Sequence, residues 1–309
     1  MLPTPISIPS VNKNTARAII SALLSAGGVT RGELAARCGV SAMTAGKVVS
    51  AMCAAGYAAV AEEISAHGRV SDFIYPAESI TFLVFDIGAK IMSADVIDAK
   101  ESTRFSYAQP RNHGVDTASD VSGFISIVRE QLADSEELNA SYRLSALLYH
   151  AGVELNISDP IFKDISLFSS ISDAKAQYVK KNHPKELVAF VSVNEFTDIS
   201  LVFDGELIRG KQTAKRSKAA LSELDMLNIL TARLSSLFEL VIPNRVIIDS
   251  RSLNLSRRFS SELGERLMSR TDMQKEELPE LVTNDGISFP SRAVIGQLID
   301  IYAEIISAN

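Results

Sequence analysis

Residues Gly32–Cys53, GELAARCGVSAMTAGKVVSAMC, decide how this chain reads. They spell two short helices joined by a tight turn. Leu34, Ala35 and Cys38 recur at helical spacing and bury one face of the first helix. Gly39 follows, where a helix end favours a residue that accepts positive φ. Val40 plugs the corner, and Ser41 takes the N-cap of the second helix, its hydroxyl accepting a free backbone N–H. Ala45, Val48, Val49 and Met52 form the inner stripe of that helix, while Ser41, Thr44, Lys47 and Ser50 point elsewhere. Small polar and basic residues on the outer face suit contact with phosphates and base edges, as in a helix-turn-helix.

Working outward, Asn14 to Ala26 carries Ala16, Ile19, Ile20, Leu23 and Leu24 at three-and-four spacing and supplies a third helix. Gly56-Tyr57 ends the second helix of the pair. Two strand-like runs follow, Tyr57 to Ile64 and Val70 to Tyr75, flanking Ala66-His67-Gly68-Arg69. A hairpin directly after the third helix predicts the wing of a winged helix, with Arg69 at its tip entering a minor groove and His67 touching phosphate or nothing. Residues 11–57 hold five basic side chains, Lys13, Arg17, Arg31, Arg37 and Lys47, against Glu33 alone, a local charge of +4, whereas the whole chain carries −6. A basic patch on an acidic protein excludes a general nucleic-acid coat and predicts a specific binder whose larger part does something else.

The chain has 309 residues, 46% hydrophobic and 22% charged, enough for two or three folded domains and incompatible with wholesale disorder. No apolar run approaches the ~20 residues that span a bilayer. MLPTPISIPS at the N-terminus is not a secretory signal, and its three prolines predict a loose arm. Cys38 and Cys53, both on presumed buried helix faces, read as small core residues of a cytoplasmic protein, and two cysteines leave no thiol-rich zinc site.

Beyond Pro76-Ala77 the pattern changes. Ser79 to Ile87 and Ile91 to Ile97 are strands around Asp86-Ile87-Gly88, and Val115 to Leu132 is an amphipathic helix. Leu144 to Tyr149 is a buried strand reaching Ala151-Gly152, and Ser172 to Lys181 is helical. Strands at Leu187 to Val193, Ile199 to Phe203 and Glu206 to Arg209 surround the Asp204-Gly205 turn. Then come a helix over Leu221 to Leu240, a short strand over Val246 to Asp249, and helices over Leu255 to Met268 and Arg292 to Ser307. Strand hairpins alternating with helices predict an α/β architecture.

The order of these elements resembles the ROK family of repressors and sugar kinases along nearly the whole chain. The resemblance rests on LAARCGVS (34–41), Gly56 and Gly68-Arg69, which is similar to the Gly-Arg-Pro of the family's wing with Val70 in place of proline. It continues through FDIGAK (85–90), Ala151-Gly152, SDAKAQ (172–177), FDGELIRG (203–210) and IPNRVIID (242–249). It implies a winged helix-turn-helix over residues 1–76. Residues 77–309 would then form a two-lobed domain like those of sugar kinases and actin (ribonuclease H-like), with lobes near 77–185 and 186–290 and a C-terminal helix at 291–309.

Kinases of this fold cradle phosphates with backbone N–H groups on glycine-rich turns, because only glycine lets backbone approach so closely. The family's first turn is Asp-x-Gly-Gly-Thr; here Asp86 and Gly88 remain, but Ala89 and Lys90 replace the rest. Its second, Gly-x-Gly-x-Gly, falls on Phe196, Asp198 and Ser200, and its adenosine-site Gly-Gly on Asp249-Ser250. The family's sugar-contacting Glu-x-Gly-His and zinc loop fall on KQTAKRSKAALSEL (211–224), which has neither histidine nor cysteine. By resemblance Asp173 aligns with the family's general base; the other reading is a helix N-terminal aspartate favoured by the macrodipole. Asp86 is either a cleft carboxylate or an acidic turn residue, and His150 either lines a cleft or plays a structural part. His113 and His183 read as loop residues, and Lys211, Lys215, Arg216 and Lys218 as a solvated basic loop.

The expected protein is therefore a cytoplasmic, DNA-binding transcriptional regulator with no catalytic residue, cofactor or metal. Arg31, Ser41, Thr44, Lys47, Ser50 and Arg69 would meet an operator in double-stranded DNA. The kinase-like part would form a homodimer or higher oligomer and place two recognition helices ~34 Å apart. Asp86, His150 and Asp173 would contact any carbohydrate-type effector. Two rivals stay open: an ATP-dependent sugar kinase retaining a DNA-binding head, and a scaffold whose winged helix binds protein.

Overall fold

The computed structural model describes residues 2–64, 70–88, 90–139, 141–150, 153, 155–156, 158–193, 197–208, 222–249, 255–256, 258–283 and 289–308. They fall into two compact units, Met1–Ile171 with Val294–Asn309, and Ser172–Ala293.

The first unit opens with α1 (Lys13–Leu24), β1 (Val29–Thr30), α2 (Arg31–Cys38), α3 (Ala42–Ala54), β2 (Ala58–Ile64) and β3 (Val70–Pro76). Each helix start has a side-chain cap. Asn12 accepts the Asn14 N–H, and Thr30 and Glu33 form a reciprocal capping box on α2. Gly39 ends α2 at φ 63°, and Ser41 caps α3 by accepting the Thr44 N–H at 3.1 Å. Ile19, Ile20, Leu23, Leu34, Val48 and Met52 are wholly buried and make the core of the three helices. β3 runs between β1 and β2, antiparallel to both, with Val29 opposite Ile74 and Ala58 opposite Pro76. The turn joining β2 to β3, with His67 and Arg69, lies outside the described residues.

The same unit continues with β4 (Ile80–Ile87), β5 (Ile91–Asp98), β6 (Thr103–Pro110), α4 (Thr117–Ala133), α5 (Glu136–Asn139), β7 (Tyr142–Tyr149) and β8 (Leu167–Ser170). The sheet order is β6-β5-β4-β7-β8; the first three strands are antiparallel, and β7 and β8 run parallel to β4. Every residue of β4 is buried, which accounts for its near-continuous apolar run. Leu83, Phe85 and Ile87 pack with Phe124, Ile125 and Val128 of α4.

The second unit repeats this plan. It comprises α6 (Ile171–Asn182), β9 (Leu187–Val193), β10 (Thr197–Phe203), β11 (Glu206–Ile208), α7 (Glu223–Phe238), β12 (Arg245–Asp249), α8 (Phe259–Thr271) and β13 (Glu280–Thr283), with sheet order β11-β10-β9-β12-β13. Again three strands are antiparallel, and two run parallel to the first. The chain closes on α9 (Phe289–Ile306), whose last turns belong to the first unit. Among the described residues no helix is long and apolar enough to cross a membrane.

Several expectations need correction. The N-terminal segment has no regular structure, yet it is not a loose arm. Ile6 is buried and donates its N–H to Ile306 O at 2.8 Å, and the Thr4 N–H reaches Tyr57 Oη at 2.8 Å. Its prolines prevent a helix but allow an extended strap. Cys38 and Cys53 are half-buried rather than core, because each sits at the end of its helix, at the margin of the packing. Desolvation still raises both thiol pKas. Strands β1, β6, β8 and β13 add to those expected.

α6 belongs with the second sheet, where Tyr178 meets the ring of Phe190 at 6.4 Å. The first 76 residues share a unit with β4–β8 and the end of α9, joined through Tyr57, Tyr302 and Phe82, whose rings meet edge to face.

Candidate functional site

α3 presents two opposed faces. Ala45, Val48, Val49 and Met52 point into the core, while Ser41, Lys47 and Ser50 are exposed and Thr44 is half-buried at the same end. The Ser41 and Thr44 hydroxyls lie 2.9 Å apart, so the cap and the first turn hold each other in place. Arg31 is exposed at the first turn of α2. Periodicity missed Met43, which is 76% exposed on the first turn of α3. Its signal was available: an apolar residue out of phase with the buried stripe. The basic residues do not all share this face, since Arg17 on α1 pairs with Glu304 of α9 at 3.3 Å.

In the first sheet, Asp86 is 2% exposed on β4 and so is not an acidic turn residue. Its Oδ1 lies 3.0 Å from Nε2 of His150, just past the parallel neighbour β7, and the His150 N–H bonds Ile87 O at 3.2 Å. A carboxylate this buried requires such a partner. The structure thus brings two of the three expected effector residues together. The third, Asp173, is exposed in the first turn of α6 in the second unit.

The turn after Asp86 is a closed hairpin. The Gly88 N–H bonds Ile91 O at 3.0 Å, and a Cβ at Gly88 would sit 2.7 Å from that same oxygen. Hairpin geometry alone therefore requires this glycine. Arg111 donates to Gly88 O at 3.2 Å and to Asp120 at 2.5 Å, with both side chains of that ion pair buried. Sequence reading missed this pair, because nothing in the local pattern relates the end of β6 to the first turn of α4.

In the second unit Lys175 is 6% exposed, and its Nζ donates to Ser200 Oγ at 2.9 Å and lies 5.5 Å from the Phe190 ring centre. The sequence carries no signal for its burial, since a lysine on a helix normally reaches solvent. Asp249 ends β12, buried. Phe196, the side chain of Asp198, and residues 211–218 lie outside the described set. His183 caps no site; it pairs with Glu186 at 3.4 Å, and desolvation, reinforced by Arg245, lowers its pKa. Among the described residues no group of three or more His, Cys, Asp or Glu is placed to hold a metal ion.

No protein-family model and no curated protein matches the chain. Its fold is similar to that of a solved structure described as a ROK family transcriptional regulator, homologue of the E. coli MLC protein. The TM-score is 0.58 over 95% of this chain and 98% of that one, at 12% identity. Weaker likenesses cover less of the chain. The inorganic polyphosphate/ATP-glucomannokinase of Arthrobacter sp. strain KM gives TM-score 0.40 at 15% identity, covering 74% of this chain and 98% of the other. The ROK hexokinase of Thermus thermophilus gives 0.39 at 12% identity, covering 74% and 97%.

Proposed function

We propose that the protein is a DNA-binding transcriptional regulator of the ROK type. In this reading the first 76 residues are a winged helix-turn-helix and the remainder is a kinase-like body without kinase activity. The observation that carries the proposal is the arrangement of α3: its apolar stripe is spent on the core, and Ser41, Lys47 and Ser50 face outward, while Arg31 is exposed at the start of α2. A helix so mounted offers its N-terminal half to a major groove, and Arg69, between β2 and β3 in sequence, would enter the flanking minor groove. The head and body together match the fold of a regulator over 95% of the chain, which favours this reading.

Three features favour a body that does not transfer phosphate. Gly88 is accounted for by its hairpin, Lys90 stands where a hydroxyl residue is expected, and the Lys175 ammonium is engaged with Ser200, where a phosphate-loop glycine is expected. The body would serve to pair two heads so that their recognition helices meet successive major grooves on an operator. A carbohydrate-type effector contacting Asp86 and His150 would act by binding one arrangement of the paired heads better than another. Such a protein works in the cytoplasm, on double-stranded DNA.

The test is selection of bound sequences from a random duplex library with the full chain, followed by titration at two salt concentrations. Enrichment of one two-fold-symmetric sequence, with affinity falling steeply as salt rises, is expected. Recovery of no preferred sequence would overturn the proposal. The sugar-kinase alternative is favoured by the exposed carboxylate of Asp173 at the start of α6. It predicts a thermal stabilisation of several degrees by millimolar ATP with magnesium, which the regulator reading does not.

A further inference from the structure

A cavity of about 320 Å³ opens in the first unit between β4, β7 and the ends of α4 and α5. Leu83 and Leu132 form its apolar wall, and Arg143, Ser145 and Asn139 its polar one. The volume falls in the range of small-molecule sites. Arg129 also reaches it, but Asp164 on the same rim lies 3.6 Å away and offsets that charge.

Arg143 is the exception. Its Nε donates to Thr81 Oγ1 at 3.4 Å and its Nη2 to Ser141 Oγ at 2.9 Å and to the Leu138 carbonyl. These partners are neutral. They fix the plane of the guanidinium and leave Nη1 with no protein acceptor among the described residues. Desolvation lowers the pKa of the group, and no neighbouring carboxylate raises it. An arginine stays protonated, so the lobe holds a half-buried positive charge without a counter-charge, aimed by three neutral acceptors.

We propose that this cavity binds a small oxyanion carried on an apolar body, a short aliphatic carboxylate, with Arg143 as its charge partner. Nη1, the one nitrogen left without a protein acceptor among the described residues, can donate to a carboxylate oxygen, and Leu83 and Leu132 receive the aliphatic part. Leu2 of the N-terminal strap closes part of the wall. Two residues on, Thr4 is bonded to Tyr57, so an occupant touches the segment that holds the head. The site is separate from Asp86 and His150, and it stands whether or not the head binds DNA.

The test is thermal denaturation and isothermal titration of the full chain with 3-methylbutanoate, with 3-methylbutan-1-ol as neutral control and inorganic phosphate at equal ionic strength. The carboxylate is expected to raise Tm by at least 2 °C at 10-fold excess over Kd, and the alcohol to leave it unchanged. Arg143→Met should abolish the shift. Asn139→Asp, at an exposed position in the same wall, should reduce carboxylate affinity at least 10-fold, because it offers Arg143 a carboxylate of the protein's own. No binding by the wild-type chain, equal stabilisation by the alcohol, unchanged affinity in Asn139→Asp, or tighter binding of phosphate than of the carboxylate would each overturn the proposal.

Discussion

Tyr57 and Tyr302 meet edge to face, with ring centres 5.9 Å apart and planes at 88°. Tyr57 directly follows α3, and Tyr302 lies in the last turns of α9, so 245 residues of sequence separate two side chains that share one core. Tyr302 also meets Phe82 of β4 at 6.3 Å. The head is therefore seated on the first sheet through α9. Tyr302→Ala should cost about 3–5 kcal/mol, the usual range for emptying an aromatic core site. Tyr57→Phe keeps the ring contact and removes the bonds to Thr4, at about 1 kcal/mol. Denaturant unfolding separates the two, and amide exchange over residues 2–9 should rise in Tyr57→Phe alone.

The buried ion pair of Arg111 and Asp120 closes the hairpin after Asp86. Removing one partner strands the other charge. Arg111→Ala should destabilise the protein by about 3–5 kcal/mol. The double substitution Arg111→Met, Asp120→Leu should recover most of that loss, because neither charge is then left buried. A double-mutant cycle in urea measures the coupling; a double variant as unstable as the single would show that the hairpin depends on the charge itself.

The capping box at the start of α2 carries a pH dependence of known sign. Glu33 accepts the backbone N–H of Thr30 and, next in weight, its hydroxyl, and these bonds lower its pKa. A carboxyl whose pKa is depressed by folding contributes stability above its unfolded value, lost as pH falls through the folded one. Glu33→Gln should thus be less stable than wild type at pH 7, and the difference should begin to shrink near the ordinary glutamate value of about 4.3 and be lost as pH falls through the lower folded value. Asp116 at the cap of α4 shifts the same way, through the Ser119 hydroxyl and then its N–H, and persists in both proteins. A gap between the two stability curves that stays constant from pH 7 to pH 3 would contradict this account.

Local pattern made the head and most of the body legible. The caps at Ser41 and Gly39 and the apolar stripe of α3 are readable because each involves residues within four positions. β4 and β9 are readable because strands buried on both faces carry near-continuous apolar runs. β6 alternates exposed and half-buried residues and β8 spans four, so neither carries enough apolar signal. The pairing of Asp86 with His150 joins two parallel strands 64 residues apart, a relation that topology creates and spacing does not encode. Lys175 was equally hidden, since a helical lysine normally reaches solvent and only the facing Ser200 and Phe190 reveal its burial.

Lys47 and Arg17 separate charge that serves the surface of α3 from charge that serves packing. Lys47 is exposed on the outer face of α3, whereas Arg17, on α1, reaches Glu304 of α9 at 3.3 Å. If α3 enters a major groove, Lys47 neutralises a phosphate and Arg17 does not. Lys47→Ala should then weaken duplex binding for all sequences and lower the slope of log affinity against log salt by about 1. Arg17→Ala should leave that slope unchanged. Both residues are exposed enough that unfolding midpoints should move little, within about 0.5 kcal/mol, so a loss of binding in Lys47→Ala reports the interface rather than the fold. Anisotropy titrations of a selected duplex at several salt concentrations make the comparison, and an equal slope for wild type and Lys47→Ala would remove α3 from the DNA.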